Sequence, residues 1–145
     1  MEQHQQSTIP KWYWAVTFFF LLWNIMGVAS FFQHTFISDD TLMSLPIAER
    51  ELYSSYPLWT TIAFAFAVFG GTLGTIGLLL KKKWSKTAFI VSLFALFPQM
   101  IHNLFFTKAK EVYGPGTEVM PILIVVGGVF LVWFSMMSIR KNWLK

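Results

Sequence analysis

The chain contains four long apolar stretches separated by shorter polar links. No Lys, Arg, Asp or Glu occurs in residues 12–33, 57–80, 87–107 or 119–139, although the chain has eleven basic and seven acidic residues. A helix needs about 20 apolar residues to cross about 30 Å of hydrocarbon, and each stretch is that long. The pattern therefore predicts an all-α integral membrane four-helix bundle, formed as a single membrane domain by residues 1–145.

The first stretch has one alternative interpretation, a cleavable signal peptide. Such a peptide has a shorter apolar core and a small-residue cleavage site. Residues 12–33 begin with Trp12-Tyr13-Trp14 and end with Phe31-Phe32-Gln33, and they are too long for that core. We interpret them as a retained helix.

The composition agrees with a protein that has little surface in water. The chain is 55% hydrophobic and only 12% charged, whereas soluble domains carry about a quarter charged residues. It has no cysteine, which excludes disulfides, thiolate metal sites and cysteine nucleophiles.

The basic residues are unequally divided between the two sides that four spans create. Eight lie with the termini and the second link, and three lie on the other side. The eight are Lys11, Lys81, Lys82, Lys83, Lys86, Arg140, Lys141 and Lys145; the three are Arg50, Lys108 and Lys110. Basic residues in short loops stay cytoplasmic, so we expect both termini to face the cytoplasm. The lysines then determine topology, and no basic stripe indicates nucleic-acid binding.

The first link is longer than a turn requires. Ser38 followed by two aspartates is typical of a helix start, and Pro46 can open a second short helix. Residues 38–55 are therefore predicted to form a short helical cap on the extracytoplasmic side.

Small residues recur every three to four positions in the second stretch. Gly70 and Gly74 form a GxxxG, and Gly71 and Gly77 extend the spacing. In lipid, helices associate through close backbone contact over such residues. The glycine face is predicted to pack helices within the bundle or, alternatively, to form a homo-oligomer interface.

The third stretch carries a polar stripe inside an apolar sequence. Gln99, His102 and Asn103 share one face, and Pro98 leaves the carbonyl of Phe94 without its usual donor. Polar groups in hydrocarbon need partners, so the stripe should face the bundle interior. Asn24, near the middle of the first stretch, is a candidate partner.

Two interpretations of this cluster of Asn24, Gln99, His102 and Asn103 stay open. The first is structural, with hydrogen bonds between helices that set their register. The second is a small hydrated pocket for a polar, quinone-like or sterol-like ligand, with His102 as its titratable member. A metal site is not expected, because His34 and His102 lie at different depths and His4 lies before the first stretch.

Several residue types that membrane enzymes and proton-driven exporters use do not occur in the apolar stretches. None contains a carboxylate or a lysine to carry a coupling proton, and no serine or histidine stands in a nucleophile motif. We therefore expect no enzyme activity and no cofactor.

Parts of the sequence resemble a family of small bacterial inner-membrane proteins with four helices. The shared features are Trp23-Asn24-x-x-Gly27, Pro46-x-x-Glu49-Arg50 and the glycine run from Gly70 to Gly77, within residues 9–100. Proteins of that family are uncharacterised or are labelled sugar transporters. The resemblance implies a fold and a location but no site residues.

Together these observations predict a multi-pass membrane protein that binds or moves a small neutral or lipid-like molecule. The alternative is an assembly partner of another membrane protein that docks through the glycine face.

Overall fold

The computed structural model describes residues 8–145, which are mostly helical. Residues 1–7, including His4, lie outside the described part of the chain. The elements are α1 (Lys11–Thr35), α2 (Asp39–Ser44), α3 (Ile47–Ser54), α4 (Leu58–Leu79), α5 (Trp84–Ile101), a π-helical turn (His102–Phe106), α6 (Ala109–Tyr113) and α7 (Val119–Arg140).

Four segments are long and apolar enough to cross a membrane. They are α1, α4, α7 and the continuous span Trp84–Phe106, which joins α5 to the π-helical turn. The predicted all-α four-helix bundle is confirmed, and the chain is a multi-pass membrane protein.

The four spans are packed unequally. The pair α4 and α5 makes the most extensive contact, α1 packs against α4, and α7 packs against α5. Helices α1 and α7 meet through aromatic side chains, with Tyr13 against Phe134 at 5.4 Å and Phe20 against Phe130 at 5.4 Å between ring centroids. These contacts lie in the half of the bundle that holds the N-terminus of α1 and the C-terminus of α7, which we call the basic side.

The C-terminal residues close the basic side. Trp143 and Leu144 are buried, and Trp143 packs edge-on against the buried ring of Tyr13. The N–H of Lys145 donates to the carbonyl of Lys81 at 2.7 Å, and the N–H of Lys83 donates back to the carbonyl of Lys145 at 3.0 Å. The end of the chain is therefore bonded to the link between α4 and α5.

The opposite end of the bundle, the cap side, carries the short helices α2, α3 and α6. Ser38 caps α2 by accepting a hydrogen bond from the N–H of Thr41. Arg50 in α3 donates to the carbonyls of Met43 and Leu45 and so fastens α3 to the end of α2. In the last link, Gly114 and Gly116 have φ values of 84° and 93°, a conformation that glycine adopts without strain.

The helix α5 changes its winding toward the cap side. Pro98 lies inside the helix, and the π-helical turn begins at His102, one turn later. A proline removes one backbone donor and its ring crowds the preceding turn, and π-type widening is one way in which a helix absorbs such a disturbance. The turn rotates the side chains that follow it.

The glycine face of α4 packs inside the bundle. A Cβ at Gly70 would lie 3.1 Å from Ser92, one at Gly74 would lie 2.5 Å from the ring of Phe89, and one at Gly77 would lie 2.9 Å from Ser85. Gly70, Gly74 and Gly77 thus approach α5, whereas Gly71 faces Asn24 on α1.

Candidate functional site

An inner cavity lies between the four spanning helices. Its volume is about 250 Å³, and it is lined by side chains from α1, α4, α5 and α7. The lining is mainly apolar and includes Trp23, Phe89, Leu96 and Leu131. Within the part of the chain that the structure describes, no Asp, Glu, Lys or Arg lines this cavity.

Glycines from three of the helices form part of the wall of the inner cavity. Gly27 on α1, Gly71 on α4, and Gly127 and Gly128 on α7 all form part of its wall. A Cβ at Gly127 would meet only the ring of Phe20, at 3.5 Å. Gly127 therefore leaves room for a side-chain carbon, whereas Gly27, Gly71 and Gly128 lie close to Val68, Asn24 and Leu93.

The inner cavity reaches the protein surface between α1 and α7. Met26 on α1 and Met120 on α7 line the cavity, and they are 66% and 55% exposed. Since both helices span the membrane, this seam faces acyl chains. A molecule dissolved in the bilayer can therefore enter without crossing water.

Asn24 is the amide of the inner cavity. Its Nδ2 donates to the carbonyl of Phe20 at 2.8 Å and to the hydroxyl of Thr75 at 3.3 Å. A backbone carbonyl cannot donate, so the Phe20 bond identifies the amide nitrogen. Its Oδ1 is directed toward Gly71 and accepts no hydrogen bond from residues 8–145, which leaves one free acceptor at mid-depth.

A second, cap-side cavity of about 300 Å³ lies nearer the end of the bundle. Its wall is more polar than that of the inner cavity. The polar members are His34, Tyr56, Thr60, Thr61, Gln99, Asn103 and Thr117. Among the described residues no formally charged side chain lines it.

Two of the sequence-predicted site residues lie in the cap-side cavity, and they are differently satisfied. Asn103 accepts a hydrogen bond on Oδ1 from the hydroxyl of Tyr56 at 3.0 Å. The Oε1 of Gln99 is buried and has no hydrogen-bond partner among residues 8–145. A buried polar atom without a partner is costly, so Gln99 is the unsatisfied group of this cavity.

The four predicted cluster residues do not share one cavity. Asn24 lies in the inner cavity, while Gln99 and Asn103 lie in the cap-side cavity. The ring of His102 lines neither and instead contacts Trp59, with 5.2 Å between centroids, and Phe106, at 6.1 Å. The expected grouping is corrected in this respect, because depth separates Asn24 from Gln99 and Asn103, and the ring of His102 packs against Trp59 of α4.

The most informative residue that sequence reasoning did not assign to the site is Tyr56. No residue pattern in the sequence singles it out, yet its hydroxyl bonds to Asn103. Burial raises the pKa of Tyr56, and the neighbouring Tyr113 adds to the increase, so the phenol stays a neutral donor at physiological pH. The available sequence signal was its position just before Pro57, the residue that precedes the first turn of α4.

The described residues contain no group of three His, Cys, Asp or Glu side chains close enough to hold a metal ion. The chemistry of both cavities is that of neutral hydrogen bonding and apolar contact. Comparisons of the chain with family models, with curated proteins and with solved structures gave no match.

Proposed function

We propose that this multi-pass protein binds a small neutral or lipid-like molecule in the inner cavity, as a carrier or receptor and not as an enzyme. One observation carries the proposal: an apolar cavity of about 250 Å³ is enclosed by all four spans and opens between α1 and α7. An apolar cavity of about 150 Å³ already takes up benzene, so this one has room for a larger apolar group.

The lining supports a neutral ligand. A charged group would lose its hydration and find no counter-charge, since Asp, Glu, Lys and Arg do not occur among the described lining residues. A role as an assembly partner has less support, because the glycine face that would serve it packs against α5 and α1.

We also propose the location and the orientation. The cytoplasmic membrane of a bacterium fits the resemblance given above, and the excess of lysine and arginine on the basic side favours placing both termini in the cytoplasm. The cap side then faces outward, and the cap-side cavity lies toward the outer leaflet.

The test is a cavity-filling substitution with a matched control on the same helix. Ile124 lines both cavities, whereas Ile122 is 52% exposed and lines neither. Both positions are changed to Trp, and native mass spectrometry in mild detergent detects lipophilic molecules that co-purify. We expect a bound molecule with the wild type and with Ile122→Trp, and its loss with Ile124→Trp.

Size-exclusion chromatography and helical circular dichroism verify that both variants are folded. Equal occupancy of the three proteins would contradict the proposal, as would the absence of any bound molecule from the folded wild type.

A further inference from the structure

The two cavities are neighbours and share part of their walls. Phe64, Met100, Met120 and Ile124 line both of them. Two of the four are methionines, whose unbranched side chains change conformation readily. These shared side chains stand between the cavities, so a long molecule that displaces the methionines can occupy both, with one part in each.

The cavities differ in the groups that they offer such a molecule. The inner cavity offers apolar surface and one free acceptor, Oδ1 of Asn24. The cap-side cavity offers the Nδ2 of Asn103 and the hydroxyl of Thr61, which make no hydrogen bond within residues 8–145. The amide of Gln99 also lines it, and its Oε1 is buried without a partner. Polarity thus changes sharply from one cavity to the other.

Unpaired polar groups in an enclosed space need either water or a ligand. The free groups here comprise both acceptors and donors and carry no formal charge. A hydroxyl group both donates and accepts, so it satisfies an amide oxygen and an amide N–H together. A phosphate or carboxylate only accepts, and it would bring a charge into a cavity whose described lining contains no Lys or Arg to balance it.

We propose, building on the proposed function, that the ligand is an uncharged lipid with a hydroxylated head group. Its head group lies in the cap-side cavity against Gln99 and Asn103, and its chain extends into the inner cavity. It enters from the bilayer at the seam beside Met26 and Met120. An acylglycerol or a long-chain alcohol has this chemistry.

The experiment compares two probes that share one acyl chain. Monooleoylglycerol carries two hydroxyls, and methyl oleate carries none. Their binding to the detergent-purified full chain is titrated by native mass spectrometry. We expect the wild type to bind monooleoylglycerol about tenfold more tightly than methyl oleate, which is the effect of one or two net neutral hydrogen bonds.

Gln99→Leu should remove this preference and leave the binding of methyl oleate unchanged. The matched control is Gln33→Leu, since Gln33 is an exposed amide near the end of α1 that lines neither cavity. The second variant is Thr61→Val, which keeps the shape of the side chain. It should weaken the binding of monooleoylglycerol but not that of methyl oleate.

The possible results separate this inference from the proposed function. Binding of neither probe to the wild type contradicts both. Equal binding of the two probes leaves the proposed function standing and overturns the head-group assignment, as does a preference that Gln99→Leu and Thr61→Val leave intact; the cap-side cavity then holds water only.

Discussion

At the scale of single residues, the contact between Gly71 and Asn24 determines how α1 and α4 meet. A Cβ at Gly71 would overlap Oδ1 of Asn24, so any larger residue there requires the hydrogen-bonded side chain of Asn24 to shift. The same contact holds the amide in place for its bonds to Phe20 and Thr75. The identity of one residue therefore sets both the helix spacing and the orientation of the polar group in the inner cavity.

We expect Gly71→Ala to lower the free energy of unfolding by about 1–3 kcal/mol, the usual cost of overpacking a close interface. The double variant with Asn24→Ala should recover part of this loss, because the overlapping atoms are then gone. Denaturation by sodium dodecyl sulfate, monitored by the loss of the helical circular dichroism signal, measures the stability of the single and the double variant.

Gly127→Ala is the control for that substitution. Its Cβ would lie at an ordinary contact distance of 3.5 Å from Phe20, so its stability should be close to that of the wild type. Equal stability of the Gly71→Ala and Gly127→Ala variants would contradict the close contact between α1 and α4 at Gly71.

Sequence reasoning at this scale found which residues are unusual but not how they group. Asn24 and Gln99 stand out as amides in apolar helices, and both line cavities. Their separation depends on the relative depth of α1 and α5, which no residue pattern specifies. The direction of His102 depends on its packing against Trp59, and the role of Tyr56 depends on a partner 47 positions away.

At the scale of elements, the C-terminal segment holds the basic side together. The ring of Trp143 closes a cluster with Tyr13 and Phe134, and the backbone after it bonds to Lys81 and Lys83. The hydroxyl of Tyr13 also donates to the carbonyl of Leu78 at 2.7 Å. A segment outside every span thus connects α1, α4 and α7.

We expect Trp143→Ala to lower the free energy of unfolding by about 3 kcal/mol or more, as is usual for a large buried ring. Trp133→Ala is the matched control, because Trp133 lies on α7 with an exposed ring, and it should cost less than about 1 kcal/mol. The same denaturation assay compares the two variants. Equal losses of unfolding free energy would show that the C-terminal segment does not stabilise the bundle.

The sequence predicts all of the long helices but only some of the short ones. The four spans follow from uncharged length, and the start of α2 follows from Ser38 and the two aspartates after it. The helix α6 and the π-helical turn were not predicted, because each has only five residues and depends on packing around it. Pro98 indicated a disturbance in α5 but not its form.

At the scale of the whole molecule, the proposed orientation has a direct test. The chain has no cysteine, so one introduced thiol is the only site for a maleimide. Ser54 on the cap side and Lys145 on the basic side are both exposed, and the backbone bonds of Lys145 do not use its side chain.

In intact bacterial cells, we expect a membrane-impermeant maleimide to label Ser54→Cys and to leave Lys145→Cys unlabelled. Permeabilised cells, in which both should react, are the control. Labelling of Lys145→Cys alone in intact cells would reverse the orientation and place the cap in the cytoplasm.

The aromatic contacts between α7 and α1 lie in the basic half of the bundle. This has a consequence for the selectivity of ligand binding. Aromatic contacts fix α7 to α1 in the basic half, while Met26 and Met120 leave a gap toward the cap. The cap half of α7 packs against α5 but leaves this gap open toward the bilayer, so a thicker or branched chain has room there and chain girth should matter little. Selectivity among ligands should then depend on the hydrogen-bonding groups of the cap-side cavity. We expect a receptor that accepts different acyl chains but requires a hydroxylated head group.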